Sequence, residues 1–395
     1  MSDNVQQLNL FNFDTDKTKF VIDRPIRIIE MFSGIGAISR GLEIAGIKFE
    51  HWKTCEWAVP SIKAYNAIHI KDWTDYSKDK TKQELIDYLD GNISTNYNEP
   101  CNVKKQNEKW LRDVYNNCIA THNLMNIMKV KGGDLEVKET DKYIYLLSYS
   151  YPCQDLSLAG NRKGMAVSQS EGGTRSGLLW EVERILNELN DNREREREIS
   201  TLPQLLLMEN VPEVIGAGNV QHFNKWLSKL ESLGYSNFFQ ILNAKDYGIP
   251  QNRRRCFMIS LLGNYTYDFP LKHTLKYKLK DFLEEKVDEK YFLSDKMIEY
   301  ITATNDKWTG NNGGAIVNRD VDCTINTAPT QRRCDASNYV ADELPQNTDL
   351  RKVGNYGNGH HAKDVYDPKG NDPTITTGNH GLGQAIIEGE IKDEK

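Results

Sequence analysis

The sequence predicts an α/β fold on a largely parallel sheet, joined to a second, loop-rich domain. Three features predict it: a strand, glycine turn, helix, strand unit over residues 26–57, a return of strand and helix alternation between residues 143 and 262, and a change of composition after Pro270. The chain has 395 residues. A single hydrophobic core stops growing at roughly 250 to 300 residues, so one large domain with a smaller companion is expected. With 38% hydrophobic residues, 27% charged residues and 7 Trp, 19 Tyr and 12 Phe, there is ample apolar surface to bury, which excludes a low-complexity or collagen-like chain.

Residues 1–25 are polar and aperiodic and read as an N-terminal tail. Ile26 to Phe32 reads as a buried strand running straight into Ser33-Gly34-Ile35-Gly36. A helix follows, because Ile38, Leu42, Ala45 and Ile47 fall near a 3.6-residue period and Gly46 stands where a C-terminal cap belongs. Phe49 to Cys55 supplies the next strand, which ends at Glu56-Trp57. From about residue 72 to 131 the chain is polar and rich in Lys, Asp and Asn, and reads as an insertion without an assigned function. Strands return at Tyr143 to Tyr149, Gln204 to Met208, Phe238 to Asn243 and Arg255 to Leu262, with helices from near Ser176 and from Val220. The first domain is expected to span residues 26–290. Residues 291–395 form the second, since residues 310–395 hold 11 of the 28 glycines and little apolar periodicity.

No stretch approaches the roughly 18 to 20 apolar residues of a membrane span, and the opening MSDNVQQLNLFNFD lacks the basic and apolar segments of a secretory signal. A cytoplasmic protein without a membrane partner is expected. The 7 cysteines are odd in number and include no Cys-x-x-Cys pair, which argues against a disulfide framework and a structural zinc site, so no metal is expected. The net charge of −6 does not advertise a nucleic-acid binder, but whole-chain charge reports solubility better than it reports one groove. Local basic clusters exist at Arg253 to Arg255, at Arg162-Lys163 and at Arg332-Arg333.

Several residues carry candidate chemistry. Phe32-Ser33-Gly34-Ile35-Gly36 lies between a strand and a helix, with Glu56 20 positions after Gly36 at the end of the next strand. That is a nucleotide-binding arrangement, in which glycines admit a close backbone approach and the acid bonds ribose hydroxyls, although Ser39 stands where a G-x-G-x-x-G pattern has its third glycine. Trp57 offers a flat surface for an adenine, or a core side chain. Cys153 follows the strand ending at Tyr149, at the sheet edge where open α/β folds bind ligands, and reads as a nucleophile or as a small buried hydrophobe. Glu209 ends the strand beginning at Gln204, and reads as a site carboxylate or a cap. Arg253 and Arg255 alternate along an extended segment and so share a face.

In this order the segments resemble the DNA (cytosine-5) methyltransferases: FSGIG at 32–36, Glu56-Trp57, Gly133-Asp134-Leu135, YPCQDLSLAG at 151–160, TRSGLL at 174–179, ENV at 209–211 and YGIPQNRRR at 247–255. The resemblance covers roughly residues 26–262. It implies a Rossmann-like S-adenosylmethionine-dependent methyltransferase sheet with a target-recognition domain, and double-stranded DNA as partner. Phe32, Gly34, Gly36, Glu56, Trp57, Asp134, Pro152 and Leu178 match the donor-binding positions, while Gln154, Asn210, Gln251, Arg162 and Lys163 are expected on the DNA side. It also implies Cys153 as the thiolate that adds to C6 of a flipped cytosine, Glu209 on N3 and the exocyclic amine, and Arg255 with Arg253 holding the base. Members of the family normally continue into an Arg-x-Leu-Thr-x-x-Glu segment and a helix led by Gly-Asn-Ser/Ala-Val. Neither is found here, so the recognition domain is expected to be incomplete, with a second polypeptide as a candidate partner supplying the rest. An RNA cytosine methyltransferase, a non-catalytic DNA-binding subunit and a nicotinamide oxidoreductase are the competing readings.

Overall fold

The computed structural model describes residues 18–152, 175–196 and 202–282. The chain divides into two compact units, Met1–Ile241 with Arg255–Phe269, and Leu242–Arg254 with Pro270–Lys395. The first unit is built on a six-stranded sheet made of β1 (Ile26–Met31), β2 (Phe49–Cys55), β3 (Ile144–Tyr149), β4 (Leu205–Asn210), β5 (Tyr235–Asn243) and β6 (Arg254–Leu262), in the order β2-β1-β3-β4-β6-β5. Its helices are α1 (Ala37–Ile44), α2 (Val59–Tyr65), α3 (Lys82–Leu89), α4 (Glu108–Ala120), α5 (Leu179–Glu196) and α6 (Val220–Ser232).

β1 pairs in parallel with β2 and β3, and β3 with β4. β6 is antiparallel to β4, so the sheet is mixed at this side. The reason lies in the connections. A parallel return needs a crossover of about a dozen residues, usually a helix. Helices separate β1 from β2 and β4 from β5, whereas only residues 244–253, with the single short turn Ala244–Tyr247, separate β5 from β6.

The centre of the sheet is apolar on both faces, as in a strand layer covered by helices. All six residues of β3 are buried. Val182, Ile185, Leu186 and Leu189 of α5 and Phe223, Trp226 and Leu230 of α6 pack into one cluster with Leu147, Tyr149, Leu206 and Met208. The Trp226 indole N–H donates to the Tyr149 hydroxyl at 3.1 Å, which satisfies a buried donor.

The polar stretch 72–131 contains more order than its composition suggests. Leu85 and Leu89 of α3 and Leu111, Val114 and Cys118 of α4 form a second core with Val59 and Ile62 of α2. α3 starts at a reciprocal cap between Thr81 and Glu84, and α4 at an Asn107 cap. Among the described residues no helix is long and apolar enough to cross a membrane.

In the second unit, the Asp246 carboxylate pairs with Lys272 at 2.9 Å and its carbonyl accepts from the His273 N–H. Asn243 donates to Asn252 at 2.8 Å, and the Ala244 N–H to the Arg253 carbonyl at 3.1 Å.

Candidate active site

The C-terminal ends of β1 and β2 form the first half of the site. The Phe32 N–H donates to the Cys55 carbonyl at 2.8 Å, and the chain then turns over the sheet, with the Gly36 N–H closing onto Ser33 O at 2.9 Å. Gly34 and Gly36 have φ of 54° and 82°, in the left-handed region that favours glycine. Glu56, the residue after β2, holds this turn. Its Oε2 accepts from the Gly34 N–H at 2.9 Å, and its Oε1 from the Ala58 N–H at 2.7 Å. Burial pushes the Glu56 carboxyl up, against the lowering effect of the backbone N–H groups of Ala58, Gly34 and Trp57.

The inserted stretch reaches this half. Asn123 accepts from the Glu56 N–H at 3.0 Å and returns its own amide N–H to the Glu56 carbonyl at 2.9 Å. The Leu124 N–H adds a bond to Thr54 O at 2.8 Å. The insertion therefore braces the backbone that presents Glu56, a role its composition does not announce. Trp57 is half-buried, and its carbonyl accepts from Ser94. Asp134 lies in the turn Gly132–Leu135, exposed, with Oδ2 accepting from the Lys131 N–H at 2.8 Å. Leu178 packs on the main core just ahead of α5.

The second half lies at the ends of β3, β4 and β6. On the antiparallel pair, Glu209 is opposite Phe257 and Asn210 is opposite Cys256. That register puts Arg255 diagonal to Glu209 on one face. Its Nε stands 3.0 Å from Glu209 Oε1, while Ser150 Oγ donates to Oε2 at 2.5 Å. Asn210 is buried and donates to the Tyr151 carbonyl at 3.1 Å. The segment 150–152, directly ahead of Cys153, is thus tied to the strand end that carries Glu209. Cys55, Cys101, Cys118 and Cys256 are buried, and burial together with the Glu209 charge pushes the Cys256 thiol up to about 12.

A family profile described as C-5 cytosine-specific DNA methylase matches residues 84–377. The chain belongs to this family. It is 39% identical over 278 residues to the orphan methyltransferase M.SssI of Spiroplasma monobiae, covering 69% of this chain and 68% of that one. It is 35% identical over 280 residues to the type II methyltransferase M2.ScrFI of Lactococcus lactis subsp. cremoris, covering 69% and 71%. The crystal structure of the S. pombe Dnmt2 methyltransferase shares the fold, with a TM-score of 0.50 and 16% identity over 81% of this chain and 77% of that one.

In this C-5 cytosine methylase the residues named from the sequence therefore fall into groups. Phe32, Gly34, Gly36, Glu56 and Trp57 gather at the ends of adjacent strands, and Pro152, Glu209, Asn210 and Arg255 gather around β4. Gln251 and Arg253 lie in the second unit, where the Arg253 N–H donates to Gln251 O at 3.0 Å. Cys153, Gln154, Arg162, Lys163 and residues 291–395 lie outside the described residues. Sequence reasoning missed Ser150, whose only signal is a hydroxyl at the end of an apolar strand one residue before Tyr151-Pro152.

Sequence reasoning also missed a polar cluster under the glycine turn. Glu30, inside β1, accepts from Tyr65 Oη and from Ser39 Oγ, each at 2.5 Å. The His51 Nδ1 lies 2.8 Å from the Tyr65 hydroxyl, and burial followed by the His69 charge holds the His51 imidazole down at about 4. Glu43, His51 and His69 offer ligand atoms within 4.8 Å of one another, but His69 already spends one ring nitrogen on Glu43 and the other on the Ile35 carbonyl.

Proposed function

We propose that this chain transfers a methyl group from S-adenosylmethionine to C5 of cytosine in a specific double-stranded DNA sequence, in restriction-modification or phage DNA protection. The observation that carries the proposal is the Glu209, Arg255 and Ser150 constellation, tied through Asn210 to the segment entering Cys153.

The residues of the first half fit the donor. Ser33 Oγ is buried without a hydrogen-bond partner among the described residues, and nothing lies within 4 Å of a Cβ built on Gly34. An unsatisfied hydroxyl beside open space suits a small polar ligand. Phe32, Gly34, Gly36, Glu56, Trp57, Asp134, Pro152 and Leu178 would hold it, with Glu56 facing the ribose hydroxyls. When bound, S-adenosylmethionine supplies an electrophilic methyl on its sulfonium.

The chain's own groups make the cytosine ready for it. The Cys153 thiolate adds to C6, which makes C5 nucleophilic, and it leaves again once C5 has lost its proton. Glu209 bonds N3 and the exocyclic amine, so charge that develops on the ring during addition meets a fixed acid. Arg255 and Ser150 each hold one oxygen of that carboxyl, which fixes its direction before the base arrives. C6 cannot be reached in a stacked duplex, so the base is flipped out. Tritium transfer from labelled donor to duplex DNA, with transfer RNA as the second substrate, tests the proposal. Incorporation into DNA at C5 of cytosine is expected. Incorporation into transfer RNA alone would overturn the DNA reading.

A further inference from the structure

We infer that His69 is a positioning residue for the methyl donor, acting through the carbonyl of Ile35. The inference rests on the donor reading of the glycine turn. His69 lies in the short π-helical turn Asn66–Ile70 that continues α2, and its side chain is 1% exposed. Its Nε2 stands 3.0 Å from Ile35 O and its Nδ1 stands 3.0 Å from Glu43 Oε1. The Ile35 carbonyl is an acceptor, so Nε2 donates to it while Nδ1 faces Glu43, and the ring bridges the turn to α1.

Three further facts make this bridge a determinant of the turn's shape. The Ile35 side chain is 54% exposed, so no apolar anchor holds the centre of the turn. A Cβ built on Gly36 would meet His69 Nε2 at 2.3 Å, which places the backbone directly on the ring. The peptide unit is planar, so fixing the Ile35 carbonyl also fixes the Gly36 N–H, the group that closes onto Ser33 O. The turn is then held from two sides, at Gly34 by Glu56 and at Ile35 by His69. Ser33, directly ahead of those two points, has a buried hydroxyl without a hydrogen-bond partner among the described residues. A turn already in its ligand-bound shape does not have to be ordered on binding, which raises affinity without any direct contact.

Glu43 keeps the ring in register. Its other oxygen accepts from Arg40 at 2.7 Å within α1, and Tyr65 packs against the ring with centroids 4.8 Å apart.

The test compares wild type, His69→Ala, His69→Gln and Glu43→Gln as full chains. Calorimetric titration with S-adenosylhomocysteine gives donor-site affinity, and steady-state kinetics give KM for the donor, KM for DNA and kcat. For His69→Ala, donor-site affinity should fall up to roughly tenfold, the scale of one lost hydrogen bond, with kcat at saturating donor and KM for DNA within about threefold of wild type. His69→Gln still presents an N–H toward Ile35 O and should recover most of the loss, and Glu43→Gln should fall between. If His69→Ala does not fold, a several-fold loss in Glu43→Gln and its absence in His69→Gln decide the question. Unchanged affinity in the folded variants, or a loss shared equally by kcat and DNA binding, overturns the role of His69 alone. A wild-type chain that binds no S-adenosylhomocysteine overturns the donor reading and this role with it.

Discussion

At the end of β2 the Glu56 carboxylate is held by backbone N–H groups, those of Gly34 and Ala58 among them, whereas at the end of β4 the Glu209 carboxylate is met, among the described residues, by the side chains of Arg255 and Ser150. The two halves of one sheet edge thus fix an acid by different means. Main-chain donors come with the fold of the turn, so Glu56 and the turn share one conformation and must be changed together. Side-chain donors can be removed singly, and they leave a carboxyl that can turn its hydrogen bonds from protein to substrate. The first arrangement suits binding and the second suits chemistry.

The sharpest way to break this contrast is at Glu209. Glu209→Gln keeps the shape and removes the acid, so the single-turnover methylation rate should fall by roughly 10² or more, with S-adenosylhomocysteine affinity unchanged. Near wild-type turnover in the folded variant would remove Glu209 from the chemistry. Glu56→Gln should show the complementary pattern. Donor-site affinity should fall roughly tenfold, the scale of hydrogen bonds to a charged group, while kcat at saturating donor changes less. A large loss of kcat with unaltered affinity would show that the halves do not divide binding from chemistry.

The smallest effect is expected at Glu30, whose carboxyl is pushed up first by burial, against hydrogen bonds from Ser39 and Tyr65. A carboxyl raised in the folded state contributes stability that is complete below its ordinary range and is lost as pH rises through the folded value. Glu30→Gln has no such titration. The Tm of the variant minus that of wild type should therefore increase by a few degrees from about pH 5 to pH 8. A difference that stays flat or falls over this range would contradict the burial argument.

Much of the fold was legible because its signals are local. The turn at Gly34 and Gly36 announces left-handed backbone, and apolar runs such as Ile144–Tyr149 announce buried strands. The antiparallel direction of β6 was not legible, since an apolar run carries no direction and only the short 244–253 connection decides it. The second core was hidden because Leu111, Val114 and Cys118 of α4 are diluted by Lys, Asp and Asn on the opposite face. In the site, Cys153, Glu209 and Arg255 stand in ordered motifs, but Ser150 and His69 matter only through partners 59 and 34 positions away. Glu30 sits inside an apolar run, and no periodicity reveals that Ser39 and Tyr65 will close on it.

Trapping on a modified duplex tests the division of roles most directly. With 5-fluorocytosine at the target position, fluorine cannot leave as a proton does, so the thiol that adds at C6 stays attached to the base. Peptide mass spectrometry of the adduct should place the base on Cys153, formed in the presence of S-adenosylmethionine and lost in Cys153→Ala. An adduct on Cys256 or another cysteine, or continued methylation by Cys153→Ala, would contradict the proposed chemistry.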